Sequence, residues 1–272
     1  MKTLKTFLAG IPVVLFALIS PAQSNESAAA ASSAPAPFVI KSTDGKCTIT
    51  IDTSRATNLT QWAETKLGPA LAEWYPKIVA MLPSEGFSAP SQFKVTIAPG
   101  RGVAATSGNG SNTRITASAS WMESQLNGEA LGAIIHEEVH VVQQWGNVNK
   151  PGWLQEGIPD YIRFFLYEPQ SHGADDVWLK RQRNFSRVNY DGAYRQSGNF
   201  LNWVIEKYDK DLVTQVNAAI REGKYTDEFW KQHTGKTAPE LGAEWKAAKA
   251  KDLGITLTPP GAPANTNTNG NR

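Results

Sequence analysis

Residues 133–145 read AIIHEEVHVVQQW. Two histidines and two glutamates sit inside an otherwise apolar run, where polar groups cost stability unless they are partnered. The whole chain has four histidines. Leu131, Ile134, Ile135, Val139 and Val142 recur at helical spacing, which predicts a helix over 126–146. On that helix His136 and His140 lie about 40° apart around the axis and one turn apart along it. Both rings can then reach one zinc ion, with bonds of about 2.0–2.1 Å. Glu137 falls roughly 80° from their mean direction. That places it near a water at the ion's open position and makes it the candidate general base. Glu138 points about 180° away and is expected to meet solvent or a structural partner. The pattern is His-Glu-x-x-His, the signature of zinc hydrolases. The competing reading is a pair of hydrogen-bonded structural histidines on a buried helix.

A hydrolytic zinc site needs a third protein ligand and one position left for water. A histidine six residues after the second, with a glycine between, would supply it, but those positions hold Gly146 and Gln143. The remaining histidines, His172 and His233, lie in no second metal-binding spacing. The stretch PGWLQEGIPDYIRFF, residues 151–165, offers Glu156 instead. Gly146, Asn147, Asn149, Pro151 and Gly152 let the chain turn back, so that a second helix can bring Glu156 to the ion. Asp160, four residues on, shares its face and can accept the free ring N–H of a ligand histidine. Pro159 is tolerated only near a helix start, so this helix is expected to begin close to Glu156. The alternative is an exposed acidic pair that merely complements a helix N-terminus.

The rest of the chain reads as one α+β domain over residues 38–257. Strands are expected at 46–52, 93–99 and 113–121, with a helix at 57–82 whose stripe is Trp62, Leu67, Leu71, Trp74 and Ile78. GRGVAATSGNGSN, from Gly100, matches no phosphate-binding spacing and reads as a flap or plain connection. Helices are expected at 126–146, 153–166, 176–184, 193–208, 209–221, 225–232 and 237–250, giving a small sheet followed by a mostly helical half. Cys47 alternates with Lys46 on a strand beside Ile49 and Ile51 and is expected to be a buried, inert thiol.

Residues 1–22 resemble a secretory leader cut near Ala22. Lys2 and Lys5 precede an apolar run from Phe7 to Ile19 that is too short to span a bilayer, which takes about 20 apolar residues. A secreted or periplasmic protein without stable membrane association is expected. Residues 23–37 read as a flexible linker and 258–272 as a disordered tail. The chain has 27 basic and 25 acidic residues. Without Lys2 and Lys5 the balance is 25 against 25, which gives no reason to expect nucleic acid as a partner.

IIHEEVHVVQQW followed by PGWLQEGIPDYIR resembles the basic secretory protein family of plant and bacterial zinc peptidases, and more widely the gluzincin metallopeptidases. The resemblance is expected to extend over about residues 45–250. It implies a zincin-like fold with one zinc ion per chain, held by His136, His140 and Glu156, with Glu137 as base and Asp160 behind a ligand histidine. Gln143, on the same stripe as both histidines, matches a glutamine common after the family's motif. The segment YDGAYRQSGNFLNWV, residues 190–204, is similar to the family's stretch around a tyrosine before a long helix, which makes Tyr194 a candidate oxyanion donor. The expected substrate is a peptide or protein, which could add as a strand to the edge of 113–121. A zinc-binding protein without catalysis, wall-associated or defensive, and a zinc hydrolase of a non-peptide cell-wall component are the alternatives.

Overall fold

The computed structural model describes residues 34–257. The leader expected at 1–22, most of the 23–37 linker and the 258–272 tail lie outside them. Residues 34–37 carry no regular structure, and the first strand starts at Phe38.

Alternation of apolar and polar residues builds one mixed sheet from β1 (Phe38–Lys41), β2 (Thr48–Asp52), β3 (Gln92–Ala98), β4 (Ala104–Ser107) and β5 (Arg114–Ser118), in the order β1-β2-β3-β5-β4. β2, β3 and β5 run parallel, while β1 and β4 flank them antiparallel. Ile49, Ile51, Phe93, Val95, Ile97 and Ile115 are buried on the inner face. On the outer face Lys94 pairs with Asp52 across 2.8 Å. Cys47 is buried beside β2 as expected, and burial pushes its thiol up to about 12, which disfavours the thiolate.

Two strands escaped the pattern. β1 is a four-residue edge, and β4 lies inside the glycine-rich segment read as a flap or connection. The strand expected to run to residue 121 ends at Ser118, where α3 (Ala119–Ser124) begins. β5 is therefore paired on both sides and has no free edge for a substrate. The edge strand on that side of the sheet is β4.

The crossover from β2 to β3 is the helix expected at 57–82. It runs from a 3₁₀ turn (Thr57–Leu59) through α1 (Thr60–Trp62) and a π-helical stretch (Ala63–Leu67) into α2 (Gly68–Met81). Pro76 lies inside α2 and cannot donate to the carbonyl of Ala72 four residues back. The Thr43 N–H takes that acceptor at 2.8 Å and ties the β1–β2 turn to the helix.

The remaining helices are α4 (Ala130–Gln143), α5 (Gly152–Tyr161) with a π-helical extension (Ile162–Tyr167), α6 (Asp176–Lys180), α7 (Tyr194–Lys207), α8 (Leu212–Arg221), α9 (Glu228–Thr234) and α10 (Ala238–Leu253). No helix among the described residues is long and apolar enough to cross a membrane. α4 is central. Of its 14 residues only Leu131 and His140 are partly exposed. Its end is held by Arg221, which donates to the carbonyls of Val142 at 2.9 Å and Gln143 at 3.0 Å. The same guanidinium donates to the carbonyl of Leu82, just past α2, at 2.7 Å. Behind α5 and α7, Trp153, Phe200, Trp230 and Trp245 form an aromatic core with ring centroids 5.5–5.9 Å apart. The indole N–H of Trp245 is satisfied by Asn199 at 2.8 Å.

Candidate active site

α4 carries His136, Glu137 and His140, and the turn after it returns the chain so that α5 faces it. α5 starts at Gly152 and, with its π-helical extension, fills the span expected at 153–166; it does not begin near Glu156, as Pro159 suggested. Pro159 sits within it, buried. Glu156 is thus one turn into the helix, and Asp160 lies a turn further on, only 3 % exposed. The solvent-exposed acidic pair at a helix start is excluded by that burial.

On its side away from α4, α5 packs closely against α7. A methyl on Gly157 would lie 2.6 Å from Ser197 Cβ, and one on Gly198 would lie 3.1 Å from the backbone at Asp160 and Tyr161. Both glycines are needed for the helices to touch. Their contact positions the two carboxylates.

Three side chains converge. Glu156 Oε2 lies 3.3 Å from His136 Nε2 and 3.4 Å from His140 Nε2. A tetrahedral zinc with bonds of about 2.0–2.1 Å sets its ligand atoms roughly 3.3 Å apart. The other nitrogen of each ring is occupied. His136 Nδ1 meets Asp160 Oδ1 at 2.6 Å, and His140 Nδ1 meets Gln143 Oε1 at 2.6 Å. A carboxylate only accepts, so His136 carries a proton on Nδ1, and the neutral ring turns its Nε2 lone pair towards Glu156. Electron-rich atoms this close repel unless a cation stands among them. A proton can serve one pair; a divalent ion serves all three. The donor set of two imidazoles and one carboxylate therefore fits a metal ion. Among the described residues this is the group of side chains so arranged.

The carboxylates make the site hospitable to positive charge. Burial opposes charge on His136, but its hydrogen bonds to Asp160 and Glu156 outweigh it and raise its pKa to about 9. Burial likewise raises Glu156, and the two histidines overcome it, holding the carboxyl at about 2.

Glu137 lies beside this group and is held from the sheet. Thr106 Oγ1, on β4, lies 2.7 Å from Glu137 Oε2 and 2.9 Å from its backbone carbonyl. Sequence reasoning missed Thr106, because a four-residue strand between glycines gives almost no periodic signal. Glu138 corrects the expectation of solvent or a structural partner. It is fully buried, and neither carboxylate oxygen has a hydrogen-bond partner among the described residues. The reason is that α4 is buried on its back as well as its front. Burial raises its pKa well above the usual carboxylate range.

Tyr194 opens α7 with its ring stacked on His136, centroids 6.1 Å apart. Its side chain is exposed, and its hydroxyl has no hydrogen-bond partner among the described residues. Ala193 and Tyr194 have φ of 58° and 48°, a left-handed backbone that costs non-glycine residues about 1–3 kcal/mol each. Neighbouring bonds hold the turn. Arg195 donates to the Gly173 carbonyl at 3.1 Å and pairs with Glu129, and Ser197 donates to the Tyr190 carbonyl at 2.7 Å. Glu129 also pairs with buried Arg163 at 3.0 Å, which in turn holds Glu168 at 2.6 Å. Nothing in the sequence spacing pointed to that network.

The group sits between two hollows of about 770 and 580 Å³. Glu137, Glu156, Tyr194 and Ala104 border both. The larger is flanked by Trp121 and Trp178, the smaller by Gln144 and Lys150.

A family described as "Peptidase of plants and bacteria" matches residues 70–245, well over half of the 272-residue chain. The chain belongs to the basic secretory protein family. The match lies inside the span of about 45–250 expected from the motifs, and it takes in all five helices that border the cleft: α3, α4, α5, α6 and α7. No curated protein matches the chain.

Proposed function

We propose that this member of a peptidase family is an exported, zinc-dependent peptidase of the gluzincin type. His136, His140 and Glu156 hold the ion. The observation that carries this reading is the 3.3 and 3.4 Å spacing of Glu156 from two Nε2 atoms whose rings are each fixed from behind. A bound zinc ion would supply a lowered water pKa and polarisation of the scissile carbonyl.

The chain's own residues do the rest. Glu137, oriented by Thr106, takes a proton from the attacking water and passes it to the leaving amine. Tyr194, on its strained turn, presents a free hydroxyl to the mouth of the site, where it can donate to a developing oxyanion. The outer edge of β4 can pair with an extended substrate across the cleft, in place of the β5 edge. Because the cleft continues on both sides of the cluster, cleavage within a chain is favoured over removal of terminal residues.

The test is metal analysis of the purified protein together with Glu137→Gln. The expected result is one zinc per chain in both proteins, with hydrolysis of a peptide library lowered by roughly 10²–10⁴-fold in the variant. Undiminished turnover would remove Glu137 from the chemistry. A zinc-loaded wild type that leaves every peptide uncut would point to a binding protein or to a hydrolase of another substrate.

A further inference from the structure

We infer that Pro159 is a positioning residue for His140, acting through the backbone of Gln155 and the side chain of Gln143. The inference rests on the reading of His140 as a metal ligand. In a regular helix the N–H of residue 159 would bond the carbonyl of residue 155. Proline has no N–H to give. The carbonyl of Gln155 is instead met by Gln143 Nε2, at 3.3 Å. Gln143 is 2 % exposed, so its amide has no bulk water to turn to.

This contact decides which way the amide faces. A carbonyl oxygen only accepts, so the atom of Gln143 that meets Gln155 must be the NH₂ group. The amide oxygen then faces His140 Nδ1, at 2.6 Å. An oxygen there requires the proton of the neutral ring to sit on Nδ1, which leaves the lone pair on Nε2, the atom turned towards Glu156. Were the amide reversed, its NH₂ would donate to Nδ1, the ring proton would move to Nε2, and the metal-facing lone pair would be gone. The missing N–H of Pro159 thus fixes a tautomer on the neighbouring helix. The chain uses the same device in α2, where Pro76 leaves the Ala72 carbonyl to the Thr43 N–H. There it fastens a turn; here it orients a ligand.

The test is Pro159→Ala, which restores the N–H, studied with Gln143→Met and the double variant. In metal-free wild type, ¹⁵N spectra of His140 above the imidazole titration range should show the proton on Nδ1. In Pro159→Ala the Nε2–H form should appear, and zinc affinity, measured by chelator competition, should fall about tenfold. In the Gln143→Met background Pro159→Ala should cause no further loss, since the relay is already cut. An unchanged tautomer and affinity in Pro159→Ala, or a loss of equal size in both backgrounds, would overturn the inference. So would wild-type His140 with its proton on Nε2. A wild type that takes up no zinc would overturn the metal reading alone, and the tautomer, read without metal, would still decide the relay.

Discussion

At the scale of single residues, neighbours on α4 have opposite circumstances. Glu137 is gripped by a hydroxyl and faces the cleft; Glu138 is sealed in the core without a partner. Removing the Thr106 hydroxyl leaves Glu137 free to swing. Thr106→Val should therefore lower kcat by about five- to tenfold, the worth of roughly one hydrogen bond, with zinc content unchanged. Unaltered kcat would show that Glu137 is held by something else. A buried carboxyl without hydrogen bonds is destabilising, so Glu138→Met should raise stability by about 1–3 kcal/mol in urea unfolding. A fall would reveal a hidden partner. His136 and His140 could be set side by side from sequence because helical geometry leaves few options at a four-residue spacing, and the glycines and proline after α4 let Glu156 return to them. Glu138 could not be placed. Its surroundings come from elements far away in the chain, and the angle of a side chain on a helix does not say whether that direction is wet.

At the scale of elements, the crossing of α5 and α7 holds the cleft together. Gly198→Ala places a methyl 3.1 Å from rigid backbone at Asp160 and Tyr161, so the helices must part. The expected cost is about 1–3 kcal/mol in unfolding, accompanied by weaker zinc binding as Asp160 retreats from His136. Retention of both would mean that the crossing has slack. The helices were legible in the sequence, since long apolar stripes survive local irregularity; boundaries shifted by a few residues. The short strands β1 and β4 were not, because four residues give two inward positions at most. The effect of Pro159 on the start of α5 was misjudged for a physical reason. Proline forbids one hydrogen bond, and a sequence cannot show that a side chain on another helix makes use of the acceptor left behind.

At the scale of the molecule, the α+β order, with its sheet first and helices after, followed from where periodicity changes along the chain. How the last helices fasten to one another did not. Glu244 on α10 gathers Lys207, Lys236 and the Tyr208 hydroxyl around one carboxylate. The hydrogen bonds from Lys207, Lys236 and Tyr208 hold its pKa at about 2, below the ordinary 4.5. A carboxyl depressed in this way contributes stability above its unfolded pKa and loses it as pH falls. Glu244→Gln should thus lower Tm at neutral pH and close the gap to wild type between pH 4.5 and about 2. The site is well exposed, so the gap will be small and will shrink with added salt. A gap that stayed constant with pH would show that the charge is irrelevant there. Arg221 has a different reach. One guanidinium closes the ends of both the crossover helix and the helix bearing the histidines. Fraying at either end breaks the same clasp, so amide exchange in the last turns of α2 and α4 should quicken in step, as a single opening event rather than two.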